Sequence, residues 1–263
     1  MKSFSNNPFL SESKIDQLKL IKQKYKKTSK TISILFVVHN EEDVIEETIK
    51  SFFHEISNNV PPKIIVAEDG SVDNTKKILQ NLSKTTSMTL VTEKNKKGYM
   101  RATKDGLMCI NSDIIFVTDS DGQFVPSDFW KLYKELENHD IIIGWKKNRA
   151  DPVWRKVIAK GYHLLVRKVF GLPIHDPNTA FRIIRKKVLN DITHETMHLK
   201  YSFWTEFTIR AFKKGYRIIE IPINHKKRLN GKSHIYNLNL FPQMLISQLS
   251  NLFKLWKELK IHN

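Results

Sequence analysis

The chain has 263 residues, 40% hydrophobic and 27% charged, enough for one large domain with a substantial core. Its net charge of +17 is uneven: residues 1–30 and 224–263 each carry +6, leaving +5 for 31–223, so the basic ends favour an anionic partner. One cysteine excludes an intramolecular disulfide, no window of 18 apolar residues predicts a membrane span, and the start MKSFSNNPFLSESK lacks a signal peptide's apolar segment.

The β-branched run Thr31–Val38 predicts a first strand, and the apolar spacing within Glu42–Ile56 predicts a helix. Lys63–Ala67 reads as a second strand, ending in Glu68-Asp69-Gly70-Ser71. Asp73 reads as the cap of a helix running to about Leu82. Met88–Thr92 is a third strand and Tyr99–Ile110 a helix, in which Cys109 is expected to be a small buried residue. Asp113–Thr118, Pro126–Glu137 and Ile141–Gly144 follow as strand, helix and strand. Beyond them lie a helix at Trp154–Phe170, then strands at Thr179–Ile184 and Arg217–Ile223 around a helix at Phe203–Lys213. Alternating strands and helices predict the α/β class: a mostly parallel, Rossmann-like sheet with helices on both faces. The expected division is a basic extension over 1–30, one domain over 31–236 and an amphipathic helix over 237–263.

The sharpest chemical signal is Ile114-Ile115-Phe116-Val117-Thr118-Asp119-Ser120-Asp121-Gly122-Gln123. An apolar strand ends in two carboxylates one residue apart. Strand ends of this kind bind ligands in open α/β sheets. Oxygen ligands on a short turn suit Mg²⁺ or Mn²⁺, and such an ion usually bridges to substrate phosphates. Asp, Ser and Gly also form ordinary turns. Three further polar strand ends or loops raise the signal: His39-Asn40-Glu41, Glu68-Asp69-Gly70-Ser71 and Asp176-Pro177-Asn178-Thr179-Ala180-Phe181-Arg182. His175, His194, His198 and His234 show no metal-ligand spacing.

Over roughly Thr31 to Tyr236 the chain resembles the family 2 glycosyltransferases of the GT-A fold. It is most similar to their polyprenyl-phosphate branch, which includes the dolichyl-phosphate mannose synthases. The matching motifs are Asn40-Glu41, Asp69-Gly70-Ser71, the helix start with Gly98, Ala102 and Gly106, the Asp119/Asp121/Gln123 motif, Asp176 with Phe181-Arg182, and Arg228 with Gly231 and Ser233. Where the family often has Pro and Tyr this chain has Val37 and His39. Glu68 stands for an Asp, Gly144-Trp145-Lys146 for Gly-Thr-Arg, and Ala159 for a Ser.

The resemblance implies that Asp119, Asp121 and Gln123 hold the metal. It places Val38, His39, Glu41, Glu68, Asp69, Gly98, Asp119, Ser120, Arg228 and Lys232 around a GDP- or UDP-linked sugar. It gives Lys146 and Arg155 the acceptor's phosphate, and Asp121, Asp176 and Arg228 the catalytic positions. A phosphomonoester is already mostly dianionic at neutral pH. It needs cations to place it more than a general base, so Asp176 is read as an orienting group and the reaction as one in-line displacement with inversion. A glycan or glycolipid hydroxyl is the alternative acceptor. A nucleic acid is not expected as a partner, because the cleft is acidic and no nucleic-acid motif is present.

The last segment, Leu240–Leu259, spaces Leu245, Leu249, Leu252, Trp256 and Leu259 as one helical stripe, with Lys254, Lys257 and Lys260 beside it. It is expected to lie on a membrane surface, which places the protein in the cytoplasm, peripheral on the cytoplasmic face of a membrane. The protein's own core or a small membrane partner subunit are the other covers for that stripe.

Overall fold

The computed structural model describes residues 30–146, 153–228 and 241–261. The 1–30 extension up to Ser29, the side chain of Arg155, and Gly231, Lys232 and Ser233 lie outside the described residues.

Seven strands form one sheet: β1 (Ile32–Val38), β2 (Lys63–Glu68), β3 (Met88–Thr92), β4 (Ile114–Asp119), β5 (Ile141–Lys146), β6 (Arg182–Arg185) and β7 (Ile218–Ile223), in spatial order β3-β2-β1-β4-β6-β5-β7. The first four strands pair in parallel and β5 pairs parallel to β7. β6 runs antiparallel between β4 and β5, so the sheet is mostly parallel. The near-continuous apolar runs of β1 and β4 follow from burial on both faces. Two apolar clusters flank the sheet. One holds Ile34, Phe36, Phe52, Phe116 and Phe181, the other Leu35, Ile115, Val117, Trp204 and Phe207.

The helices are α1 (Ile45–Ser57), α2 (Thr75–Thr85), α3 (Tyr99–Met108), α4 (Phe129–Tyr133), α5 (Val153–Phe170), α6 (Lys186–Ile192), α7 (Phe203–Lys213) and α8 (Phe241–Ile261). The sequence pattern had merged α4 with its flanking 3₁₀ turns, Pro126–Asp128 and Lys134–Glu137, and had missed α6. It had also extended α3 too far. Cys109 stands just past the end of α3 and is exposed, not buried. The apolar neighbours that suggested burial belong to the inner face of the helix, and the cysteine does not.

Helix α8 corrects the single-stripe expectation. Leu252 and Leu255 are buried, and Trp256 and Leu259 pack against the core. Leu245 and Leu249 remain exposed. The helix is pinned by Glu258, which receives Arg210 Nη1 at 2.8 Å and His198 Nε2 at 2.6 Å. Among the described residues no helix is long and apolar enough to cross a membrane.

The far end of the sheet carries a stabilising cluster. Asp140, ahead of β5, is 4% exposed. Its carboxylate meets Lys187 at 2.7 Å and the Arg217 backbone N–H at 3.1 Å. Burial works against the charged form, but these bonds win and hold the carboxyl at about 2. A depressed carboxyl stabilises the fold above its unfolded value near 4 and loses that contribution as pH falls toward 2. Asp140→Asn is therefore expected to cost roughly 2 kcal/mol at neutral pH and to flatten the acid limb of the melting-temperature profile. Superimposable profiles for the two proteins would disprove this.

Candidate active site

The site lies at the carboxyl ends of β1, β2 and β4, where three loops are tied together by side chains. Asn40 takes a left-handed conformation with φ 55, which asparagine tolerates better than most residues. Its backbone N–H donates to Ser71 Oγ at 3.0 Å, and its Oδ1 accepts the Val72 N–H at 2.9 Å. The Glu41 N–H donates to Thr75 Oγ1 at 2.8 Å. Gly70 also has positive φ, and a Cβ there would meet the Asn95 carbonyl carbon at 2.4 Å. The Asn40-Glu41 and Asp69-Gly70-Ser71 motifs are thus two halves of one loop clasp.

Asp69 is largely spent on architecture. Its carboxylate accepts the N–H groups of Lys97 at 2.7 Å and Gly98 at 3.0 Å. It holds the turn that starts α3. Glu68 differs. One oxygen accepts the Ser71 N–H, while the other is buried without a hydrogen-bond partner. His39 likewise keeps Nδ1 buried and unbonded, and burial pulls its pKa down. Buried polar atoms left unsatisfied are costly in a resting protein and mark where a polar ligand would be received. Val38 does not reach the cleft with its side chain. It is fully buried in the core, and its carbonyl accepts the Asp69 N–H.

At the end of β4 the carboxylates gather. The Asp121 Oδ1 accepts the Gln123 N–H at 3.1 Å, and Ser120 Oγ donates to the Val37 carbonyl at 3.0 Å. Asp119 lies 3.9 Å from Lys146 Nζ. Burial, with Asp121 and Asp176 nearby, pushes its carboxyl to about 6 against the pull of Lys146. Glu41 is pushed to about 7 by burial and by Asp121 and Asp119, against Arg228. The two raised carboxyls, Glu41 and Asp119, share the pocket with Asp121, and these donors are the hard oxygens that Mg²⁺ and Mn²⁺ take. Gln123 gives its amide N–H to the Lys226 carbonyl at 2.8 Å, leaving its Oε1 as a candidate ligand. The donor set fits such a cation.

The segment after β7 crosses this cleft. Lys226 N–H donates to the Gln123 carbonyl at 2.8 Å, and Phe124 bridges His225. The crossing carries Arg228 to the Glu41 carboxylate, with which it forms an ion pair. Arg228 is thereby set over the Asp119–Asp121 turn from a position 107 residues later in the chain. Lys146 packs over the Phe124 ring at 4.8 Å, beside Asp119.

Asp176 is positioned by Glu220, which the sequence motifs did not flag, and by Arg182, which closes its own motif. Glu220 on β7 accepts the N–H groups of Asp176 at 2.6 Å and His175 at 2.7 Å. Arg182 is fully buried and bonds the carbonyls of Pro177 at 2.9 Å and Thr179 at 2.5 Å. Its guanidinium stacks on Trp204 at 4.5 Å. It shapes the Asp176 loop from behind. Asp176 itself lies 3.6 Å from His163 Nε2 on α5. The only hint of Glu220 in the sequence is a carboxylate interrupting an apolar strand.

A family model for glycosyl transferase family 2 matches residues 33–193. The chain belongs to glycosyl transferase family 2, and it is a nucleotide-sugar glycosyltransferase. Among solved structures it is similar to glucosyl-3-phosphoglycerate synthase from Mycobacterium tuberculosis in complex with Mn²⁺, uridine diphosphate and phosphoglyceric acid. That match has TM-score 0.67 and 17% identity, over 96% of this chain and 84% of the other. The same enzyme with Mg²⁺ and uridine diphosphate matches at TM-score 0.62 and 17% identity, over 95% and 85%. At this identity the likeness establishes the α/β fold.

Proposed function

We propose that this glycosyltransferase moves a sugar from a GDP- or UDP-linked donor to a polyprenyl phosphate at the cytoplasmic face of a membrane, with inversion and with Mg²⁺ or Mn²⁺. The observation that carries the reading is one cleft holding Asp119 and Asp121 at its floor and Lys146 and Arg228 at its walls. Asp119, Asp121 and Gln123 would hold the cation, which supplies charge neutralisation on the departing diphosphate. Glu68 and His39 offer unbonded buried atoms to the base or ribose. Arg228, released from Glu41, has the planar fork that phosphate oxygens accept. Lys146 would steer the incoming phosphate, and Asp176 would orient it with His163. No general base is needed, since the acceptor arrives as an anion.

The first solved structure described above contains phosphoglyceric acid, which also carries a phosphate. In that molecule, though, the nucleophile would be a hydroxyl, and the Asp176–His163 pair would serve it as base. A transfer screen separates the readings. It uses UDP- and GDP-sugars with Mg²⁺ or Mn²⁺, and a short prenyl phosphate against phosphoglycerate and glycan acceptors. Transfer to the prenyl phosphate is expected; transfer only to a hydroxyl would refute the reading.

Arg228→Ala is expected to lower kcat/KM for the nucleotide sugar by about a hundredfold, with the melting temperature little changed. Equal kcat/KM would remove Arg228 from the diphosphate.

A further inference from the structure

The end of the sheet opposite the active site holds a concavity of about 490 Å³, a volume within the range of small-ligand sites. It opens where the chain enters β1, β4, β5 and β7 and where it leaves β6 for α6. Asp113 stands just ahead of β4 and Asp119 ends that strand, so about 20 Å of extended chain separates the concavity from the acidic turn of the cleft.

Its charge is unbalanced. Among the described residues, Arg185, Lys186, Lys187 and Arg217 line it against two carboxylates, Asp113 and Asp140, and Lys30 is a fifth cation. Neutral oxygens hold two of the four. Arg185 donates to the carbonyls of Leu136 and, at 3.1 Å, of His139, and Lys186 donates to the Asn111 side-chain oxygen. Lys187 and Arg217 share one carboxylate, Asp140, at 2.7 and 3.3 Å, and Arg185 lies 3.8 Å from the same group. Asp113 is taken up by Thr31, whose N–H and Oγ hydroxyl both donate to it at 2.8 Å. The Lys187 and Arg217 side chains are each more than half exposed. Arg217 meets Asp140 through Nε alone, which leaves the two terminal nitrogens of its fork as donors.

The cations are positioned before any ligand arrives. Backbone bonds tie the segments that carry them: the Lys186 N–H to the Asp113 carbonyl at 3.0 Å, the Arg185 N–H to the Asp140 carbonyl at 3.1 Å, and the Asp140 N–H to the Arg217 carbonyl at 2.8 Å. Lysines scattered on a convex surface are ordinarily just solvated. Cations gathered in a concavity, around one buried carboxylate and on interlocked backbone, lose little freedom when an anion binds.

The size of the surplus selects the ligand. A phosphate monoester carries at most about two negative charges at neutral pH, and the volume is more than one phosphate fills. Two linked phosphates bring more charge and more acceptor oxygens, which Arg forks take in pairs. We propose that this concavity is a second anion site, apart from the catalytic cleft, that takes a diphosphate, either free or carried by a nucleotide. Its occupant ties together the ends of β4, β5, β6 and β7 and so stabilises the fold. The site stands whichever acceptor the cleft uses.

Calorimetric titration of the full chain with inorganic pyrophosphate, in chelator at low salt, tests the site. One-to-one binding is expected, weakening as salt is added, together with a rise in melting temperature. Lys186→Gln and Arg217→Gln are each expected to weaken binding about tenfold, with nucleotide-sugar hydrolysis in Mg²⁺ unchanged. Lys186 is bonded to a neutral amide, so its variant keeps the test open even if Arg217→Gln loosens Asp140. Arg228→Ala, in the cleft, is expected to bind pyrophosphate as the parent does. In that variant, uridine diphosphate against pyrophosphate separates a nucleotide-borne diphosphate from a free one, and the tighter binder must lose affinity when Lys186→Gln is added. Absence of binding by the parent chain overturns the proposal. So does equal affinity in Lys186→Gln, loss of binding in Arg228→Ala, or sulfate that binds as tightly as pyrophosphate.

Discussion

Asp121→Ala is expected to abolish sugar transfer, lowering kcat by about a thousandfold or more, while the unfolding transition stays where it is in the parent chain. Asp121 is only partly buried, and its recorded bond is to the neighbouring Gln123 N–H. Its removal strips no buried partner of a charge, so the cost to the fold is that of an ordinary surface change. The cost to the reaction is large for the opposite reason. Asp119 alone would face the diphosphate, already compensated by Lys146, and the departing charge would lose its counterweight. The same logic predicts that excess chelator silences the parent protein and that Mg²⁺ or Mn²⁺ restores it. Transfer at the parent rate, by the variant or by the chelated protein, would remove the cation from the chemistry.

Glu206→Ala is expected to be the most damaging single change to stability, about 3–5 kcal/mol, or roughly a 10 °C fall in melting temperature for a chain of this size. Glu206 is fully buried on α7. It accepts the backbone N–H groups of Met197 at 3.0 Å and of His198 and Leu199 at 2.7 Å, and it pairs with Arg210 at 3.0 Å. Its loss orphans three N–H donors and removes the one fully buried carboxylate from a buried guanidinium, leaving the part-exposed Glu258 and Glu195. Because Arg210 also holds Glu258, α8 is expected to loosen with it, which hydrogen exchange at Leu252 and Leu255 would report. Glu206→Gln keeps one acceptor oxygen and should cost clearly less. Equal urea midpoints for parent and Glu206→Ala would show that the network contributes nothing.

The sequence showed most of the sheet and the floor of the site, because both depend on local pattern. Apolar runs announce strands, and Asp119-Ser120-Asp121 sits at the end of one. What it hid depends on distant partners. The Glu68 and Asp69 pair looks alike in sequence, yet one carboxylate is consumed by the Lys97–Gly98 turn and the other keeps an unbonded oxygen. Glu220 acts on the Asp176 loop from another strand, and no spacing rule joins it to Asp176; Arg182 was legible as part of the Asp176 motif, but not its place beneath the loop. The reversed direction of β6 was invisible, since a short apolar strand reads the same both ways. The stripe on α8 was legible as amphipathic, but which half faces inward was decided by Arg210 and His198, far away in the chain.

The placement of β6 has a consequence for synthesis on the ribosome. Strands β1 to β4 form a contiguous parallel block that can assemble once Asp119 has emerged. Strand β5, with Ile141, Ile142 and Ile143 fully buried in the finished protein, has no partner within that block. Its place exists only after Arg182–Arg185 has been made and has inserted between it and β4. In the interval a short, uncharged run of β-branched residues waits unpaired, which is the situation in which nascent chains associate wrongly. Slow elongation between β5 and β6 would lengthen that exposure, and a chaperone that shelters Ile141–Ile143 would shorten it.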